Sequence, residues 1–321
     1  MLGRVFGRAR ETIAGEQPAG GSLARALRLR LQRFIPRIPL HVALIGLAVV
    51  WSIPTIALLI SSFRTPQAIA ASGWWNALKI PFDFTAANYN SVLTQRGMGR
   101  AFINSIIISV PVTLLVILIA AFAAYAFAWM RFPFRNTLFL LMVGLLVVPL
   151  QMTLIPILRL YVQLTTDVQF PLLGGNLFGV SSFTGVWLAH TAYGLPFAVY
   201  LLRNFFGSLP KDLVESAYLD GASDIGVFFR IILPLSVPAL GALAIFQFLW
   251  VWNDLLVSLI LLGDPRLYPM TVNITNLVSS FGSNYQVLTA AAFISMIVPL
   301  IIFFALQRYF VQGLLAGAVK G

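Results

Sequence analysis

The sequence contains no cysteine and few charged residues. Of its 321 residues, 10% are charged and 59% are hydrophobic, whereas soluble domains have about 25% charged residues. The lack of cysteine excludes thiol catalysis, disulfide bonds and cysteine metal sites. With only His41 and His190, a histidine metal cluster is not expected either. The apolar surface exceeds what a soluble fold of this length can bury, which indicates a membrane protein.

The sequence contains long apolar runs with few charged residues. A helix needs about 20 mainly apolar residues to cross about 30 Å of hydrocarbon. The runs are continuous rather than alternating, which favours helices over a barrel. Their prolines are interpreted either as local kinks or as hinges of a moving pore. We predict an all-α integral membrane protein of about six transmembrane helices, at about 41–62, 103–129, 137–160, 183–203, 237–262 and 288–308.

Basic residues predict the orientation of these helices. Eight arginines precede the first run, and this excess places the N-terminus in the cytoplasm. Alternation then puts fifteen of the 21 lysines and arginines, and both termini, on the cytoplasmic side. The net charge of +11 thus reflects topology and contact with anionic lipid, not nucleic-acid binding.

The chain divides into a tail and a membrane domain. Residues 1–40 form a basic cytoplasmic tail, with a short amphipathic helix expected at 23–35. Residues 41–321 form the transmembrane domain. Within it, Asn104 and Ser105 are expected to cap or to form hydrogen bonds in the bundle. Residues 263–287 are predicted to be an external polar loop.

The stretch from residue 207 to 238 lies in the longest cytoplasmic loop of this topology. Pro210 suits the first turn of a helix, and Gly221 can take the left-handed backbone angles that stop one. Ser223 suits the N-cap of a second helix, which we expect Pro234 to end. The pattern predicts a helix–turn–helix. From the residues alone, its function is open between a docking element and an ordinary amphipathic connector.

This stretch resembles the EAA loop of ABC-importer permeases, whose pattern is roughly E-A-A-x-x-x-G followed by I-x-L-P. Ser216 stands where the family has its second alanine, a small-for-small change. The resemblance implies that these residues couple the membrane domain to a cytoplasmic ATPase, with Glu215 and Gly221 as the principal positions. The corresponding residues are Glu215, Ser216, Ala217, Asp220, Gly221, Ala222, Ile231, Leu233 and Pro234.

The resemblance extends from about residue 45 to the C-terminus. Within the family, the chain is most similar to the maltose-type second permease of carbohydrate importers. The stretch at 308–321 is specific for this subclass, and 124–127, 131–133 and 252–254 also match.

The resemblance implies a fold, a function and a set of partners. The fold is that of a type I ABC importer permease, with a coupling loop at about 207–236 and the bacterial inner membrane as its location. The function is to form half of an ATP-driven pathway for a sugar, an oligosaccharide or an α-glucoside, without enzymatic activity. The partners are a cytoplasmic ABC ATPase dimer, a second homologous permease and an extracytoplasmic sugar-binding protein. No cofactor is expected, because the chain lacks a P-loop and ATP is bound by the partner.

Trp252, Asn253 and Asp254 form the candidate translocation path. Asp254 is the only acid placed within a predicted span, and ionisable residues in a membrane usually face a cavity or a partner. Aromatic faces beside polar groups suit a sugar. The alternative is structural, with Asp254 forming hydrogen bonds to a neighbouring helix. His190 is interpreted as a packed residue that forms interhelical hydrogen bonds rather than as a proton relay.

Two other functions compete with the importer hypothesis. A membrane-embedded enzyme would need paired acids, a nucleophile–base pair or metal ligands, and the spans offer one aspartate and one histidine. A channel or receptor scaffold would use the long internal loop as a generic signalling contact. Co-purification of an ATPase distinguishes the importer from both.

Overall fold

The structure is a computed structural model that describes residues 38–79, 84–95, 97–164, 169–170, 175–176, 179–279 and 285–318. The amphipathic helix expected at 23–35 lies outside the described residues. The chain divides into two units, Met1–Leu58 and Leu59–Gly321. In the first unit, the described residues belong to helix α1, Ile38–Ser62, which continues into the second unit and contains Pro54. Its most apolar stretch has no buried residue.

A structured segment follows α1. It contains α2 (Pro66–Ala71), a 3-10 helix (Trp74–Leu78) and α3 (Ala87–Gln95). Arg64 is buried, and its guanidinium donates to the carbonyl oxygens of Ala68 and Ser72 at the C-terminal end of α2. The carbonyls thereby satisfy a charged group that would otherwise be costly to bury.

Four helices form the core of the second unit. They are α4 (Met98–Trp129), α7 (Phe183–Phe206), α11 (Val237–Trp252) and α14 (Tyr285–Ala318). α4 packs on both α7 and α11, and α11 packs on α14. Small side chains such as Ala120 and Ala124 of α4 are fully buried, which allows close approach of neighbouring helices.

The remaining elements are shorter. α5 (Arg135–Gly144) runs through a 3-10 turn (Leu145–Val147) to α6 (Leu150–Leu164), and a hairpin pairs β1 (Gln169–Phe170) with β2 (Gly175–Asn176). The stretch at 207–236 contains α8 (Lys211–Leu219), α9 (Asp224–Val227), a π-helical turn (Phe228–Ile232) and α10 (Leu233–Leu235). After α11 come α12 (Leu256–Leu261), a 3-10 turn (Pro265–Leu267) and α13 (Met270–Ser279).

The prediction of about six transmembrane helices is confirmed, with two corrections. Four helices are individually long and apolar enough to cross a membrane, and two bent pairs bring the number to six. The span predicted at 137–160 is not one helix, because α5 with its 3-10 turn meets α6 at an angle of 100°. Pro149 follows the turn, and the residue before a proline disfavours helical angles.

The fifth predicted span, 237–262, is also broken. α11 ends at Trp252, and Asn253, Asp254 and Leu255 separate it from α12. Asp254 therefore lies in a break between two helices and not inside one. Thr271 on α13 contacts this break, since its hydroxyl donates to the backbone oxygen of Asp254 at 2.7 Å.

The segment at 263–287 contains more structure than a polar loop. It carries the 3-10 turn and α13, and it is bound to the start of α4. Asn104 Nδ2 donates to the carbonyl oxygens of Arg266 and Tyr268, and Ser105 Oγ accepts from the backbone N–H of Met270. The hydrogen bonds expected of Asn104 and Ser105 are confirmed.

Candidate functional sites

The stretch at 207–236 is the first candidate site. α8 begins after Pro210, with Asp212 in its first turn, where the helix dipole favours an acid. Val214 is 2% exposed and belongs to the apolar core, so it fixes α8 against the membrane domain. Glu215 and Ser216 are exposed on the same helix. The packing thus leaves polar side chains of the EAA pattern free to meet a partner.

A glycine turn separates α8 from α9. Gly221 has φ +82°, and its N–H donates to the carbonyl oxygen of Tyr218 while the N–H of Ala222 donates to that of Ala217. These two bonds define a Schellman motif, which satisfies carbonyls at the end of a helix. The positive φ is the reason for glycine here, since a Cβ at Gly221 would meet no atom within 4 Å.

The second helix begins as the sequence predicts but ends later. The Ser223 hydroxyl accepts from the N–H of Gly226, so Ser223 is the N-cap. Pro234 does not end the helix, which continues to Leu235. The chain takes a π-helical turn at Phe228–Ile232 instead, in which the N–H of Leu233 donates to the carbonyl oxygen of Phe228. The prediction that Pro234 ends the second helix is therefore wrong, and a wider π-helical turn precedes the proline instead.

Two tyrosines join the stretch at 207–236 to α4. Tyr218 Oη donates to Asp224 Oδ1 at 2.7 Å, and Tyr125 Oη donates to the carbonyl oxygen of Asp224 at 3.0 Å. Burial, followed by the bonds to Tyr125 and Asp224, raises the pKa of Tyr218 well above its ordinary value. The phenol stays protonated and keeps its donor role, so α8 and α9 are held together across the glycine turn.

The pair of helices is connected directly to the fifth span. Residues 224–235 meet α11 at an angle of 73°, with Ser236 at the joint. Ser236 is fully buried, and Pro234 and Pro238 flank it. Ile231 and Leu233 are partly buried while Pro234 is exposed. The I-x-L-P residues therefore lie at the joint, whereas Glu215, Asp220 and Gly221 lie at the distal turn.

Trp252, Asn253 and Asp254 form the second candidate site at the other end of α11. Trp252 is 3% exposed, and its Nε1 donates to the carbonyl oxygen of Ser295 on α14 at 3.0 Å. Asn253 is exposed, and its Nδ2 donates to the carbonyl oxygen of Leu249. These bonds fix the C-terminal end of α11.

Asp254 connects the break to α7. Its Oδ2 accepts from the N–H groups of Val257 and Ser258 at the start of α12. The same oxygen lies 3.5 Å from Nε2 of His190, which is 3% exposed on α7. At that distance the two groups are neighbours but do not form a hydrogen bond. Trp252 and Asp254 thus bond neighbouring elements, whereas Asn253 bonds its own helix.

A cavity beside these residues was not anticipated from the sequence. It measures about 470 Å³ and lies at the break between α5 and α6, with Trp250 and Tyr193 among its lining residues. The signal that marks it is a pair of prolines, Pro149 and Pro196, in two predicted spans. Either proline alone is ordinary in a membrane helix, and only the fold brings the two together.

Comparison with known proteins identifies the family. The family model described as binding-protein-dependent transport system inner membrane component matches residues 84–315. The chain belongs to this family. The resemblance drawn from the EAA pattern is therefore confirmed, and the protein is a multi-pass ABC transporter permease subunit of the inner membrane. Such subunits are not themselves catalytic.

Individual relatives cover most of the chain. The osmoprotective compounds uptake permease protein GgtD of Synechocystis sp. is 53% identical over 295 residues, which are 91% of this chain and 95% of that protein. The alpha-glucoside transport system permease protein AglG of Rhizobium meliloti is 57% identical over 245 residues, 75% of this chain and 62% of that protein.

A solved structure has the same fold. It is a bacterial ABC transporter involved in the import of the acidic polysaccharide alginate, and it superposes with a TM-score of 0.70. The match covers 87% of this chain and 98% of that chain at 20% sequence identity. The prediction of an all-α importer permease fold is thereby confirmed.

Proposed function

We propose that this permease carries small neutral α-glucosides across the inner membrane as half of an ATP-driven pathway. The two relatives described above support the substrate class, because one is named for α-glucosides and the other for osmoprotective compounds. The chain spans 62% of the α-glucoside relative. A second homologous permease completes the pathway, an extracytoplasmic binding protein delivers the sugar, and both termini lie in the cytoplasm.

The cytoplasmic stretch is the docking site of the ATPase dimer in this proposal. The observation that carries it is the rigid connection from the exposed Glu215 and the Gly221 turn, through α9 and α10, to α11. A flexible loop would absorb the motion of a partner, whereas capped helices joined at a buried Ser236 transmit it. The exposed apolar side chains Leu219 (88%) and Ile225 (71%) supply a contact surface at the distal turn.

Trp252, Asn253 and Asp254 shape the wall of the pathway in this proposal. Their hydrogen bonds hold the end of α11, the start of α12 and α14 in one arrangement. ATP binding changes the populations of inward- and outward-facing states only if ATP and its ATPase bind the two states with different affinity. The three residues therefore act at the point where motion of α11 reaches the sugar.

The proposal is tested by co-purification and uptake. The permease, carrying an affinity tag, is purified in mild detergent from the membranes of its native host, and uptake of radiolabelled trehalose and sucrose is measured in intact cells. We expect an ATPase and a second permease to co-purify, and uptake to disappear when the gene is deleted. Recovery of the permease alone in several detergents, or undiminished uptake after deletion, would contradict the proposal.

A further inference from the structure

The cavity at the break of the third span is built like a sugar subsite. It measures about 470 Å³, within the range of small-molecule pockets, and it lies between the 3-10 turn (Leu145–Val147), α6, α7 and α11. Residues 135–147 rise about 20 Å from the cytoplasmic end, in a hydrocarbon layer about 30 Å thick. The break therefore lies inside the membrane, where discontinuous helices of transporters bind their substrates.

An aromatic face and a hydroxyl pair line this cavity. Trp250 is 44% exposed, so its indole is available to a ligand, unlike that of the buried Trp252. Tyr193 Oη and Thr153 Oγ1 are 2.7 Å apart, and the Thr153 hydroxyl also bonds the carbonyl oxygen of Leu150 at 2.7 Å. Because Thr153 donates its one proton to Leu150, Tyr193 is the donor in the pair. The phenol oxygen therefore keeps lone pairs for an incoming donor.

A backbone carbonyl adds a further acceptor. Pro196 lies inside α7 and has no N–H, so the carbonyl oxygen of Ala192 lacks its usual helical donor. Both residues line the cavity. The described lining thus offers acceptors and an aromatic face, and it contains no basic side chain. Such a lining suits the hydroxyl donors and apolar ring face of a neutral sugar and disfavours a carboxylate.

We infer that this cavity is a binding subsite for one ring of a neutral sugar, so that this subunit contacts the transported molecule itself. The inference rests on the proposed function. Trp250 packs against the apolar face of the ring, while Tyr193 Oη and the Ala192 carbonyl oxygen accept from its hydroxyl groups.

The first test compares transport constants of three variants in whole cells. Trp250→Leu removes the aromatic face, and Tyr193→Phe removes the phenol; we expect the KM for α-glucoside uptake to rise about tenfold and about threefold. Trp51→Leu is the matched control, because Trp51 is a 76% exposed tryptophan of α1 that is not among the residues lining the cavity, and it should leave KM unchanged. Equal KM values in Trp250→Leu and the wild type would overturn the subsite.

The second test is direct and does not depend on uptake. The chain has no cysteine, so Thr153→Cys places a single thiol in the cavity. In the purified complex, trehalose should slow its alkylation by N-ethylmaleimide about fivefold, and glucuronate should not. If a lipid acyl chain fills the cavity, alkylation is slow with and without sugar, and the subsite is overturned.

The two tests separate the subsite from the proposed function. Wild-type cells that take up no α-glucoside would refute the function. Normal wild-type uptake, with unchanged KM in Trp250→Leu and no protection of Thr153→Cys, would refute the subsite alone.

Discussion

Single residues set the backbone at the turn between α8 and α9 and at the break after α11. At the turn, Gly221 provides a positive φ that other residues adopt at a cost, and the surrounding space is empty. At the break, one carboxylate oxygen of Asp254 caps α12 and approaches His190. Different substitutions test the two positions, because Gly221 is restricted by backbone conformation and Asp254 by hydrogen bonding.

Gly221→Ala isolates the conformational requirement. The added methyl group meets nothing, so the expected cost is that of the left-handed backbone, about 1–2 kcal/mol. We expect normal membrane insertion and weaker coupling of ATP hydrolysis to uptake in the reconstituted complex. Gly221→Asn is the control, since asparagine tolerates these angles, and it should retain coupling. Full coupling in Gly221→Ala would show that the Schellman turn is dispensable.

Asp254→Asn and Asp254→Ala separate capping from charge. Asparagine keeps an acceptor oxygen for the N–H groups of Val257 and Ser258, whereas alanine leaves both without it. Loss of a helix cap costs about 1 kcal/mol. We expect the Tm of the purified complex to fall more in Asp254→Ala than in Asp254→Asn. Equal falls in the two variants would mean that the negative charge of Asp254, not capping, is the main contribution.

At the scale of elements, close packing of α11 on α14 depends on Gly241. A Cβ built at Gly241 would lie 2.8 Å from Cβ of Tyr309, which is closer than such atoms approach. Neither helix can yield without moving its backbone, because the obstructing atom is itself a Cβ.

Gly241→Ala should therefore force α11 and α14 apart and lower both the yield and the Tm of the purified complex. Overpacking of this kind costs about 1–3 kcal/mol. Gly46→Ala on α1 is the matched control, since a Cβ there meets nothing within 4 Å. Equal Tm values for the two variants would show that the helices adjust freely at this contact.

The sequence predicts some of these elements and not others. Apolar runs identify the spans because a helix in hydrocarbon must be apolar, and Ser223 identifies a helix start because capping is local. The breaks after Val148 and Trp252 were missed, since an apolar run continues through each. The π-helical turn before Pro234 was missed because it depends on how the chain packs on α4, and the 470 Å³ cavity needs four elements placed together.

At the scale of the whole molecule, the predicted topology places the two faces of the membrane domain in different compartments. Gln67 on α2 and Lys211 on α8 are both exposed. The positive-inside rule assigns the first to the outside and the second to the cytoplasm.

The absence of cysteine makes this assignment directly testable. In intact spheroplasts, a membrane-impermeant maleimide should label Gln67→Cys and leave Lys211→Cys unlabelled until the membrane is opened by detergent. Labelling of both variants after detergent treatment is the control for accessibility. The opposite pattern in intact spheroplasts would invert the predicted orientation of both termini.

Residues 224–252 move as one bent lever when the angle at Ser236 stays fixed. Its first arm, 224–235, is about 18 Å long, and its second arm, α11, is about 24 Å long. With that angle fixed, a displacement of about 3 Å at the end of the first arm rotates the lever by about 10° and moves the far tip of α11 by about 4 Å. That tip carries Trp250 and Trp252. A small displacement caused by closure of an ATPase dimer therefore becomes a slightly larger displacement of these two tryptophans, at the depth where a sugar ring would be released.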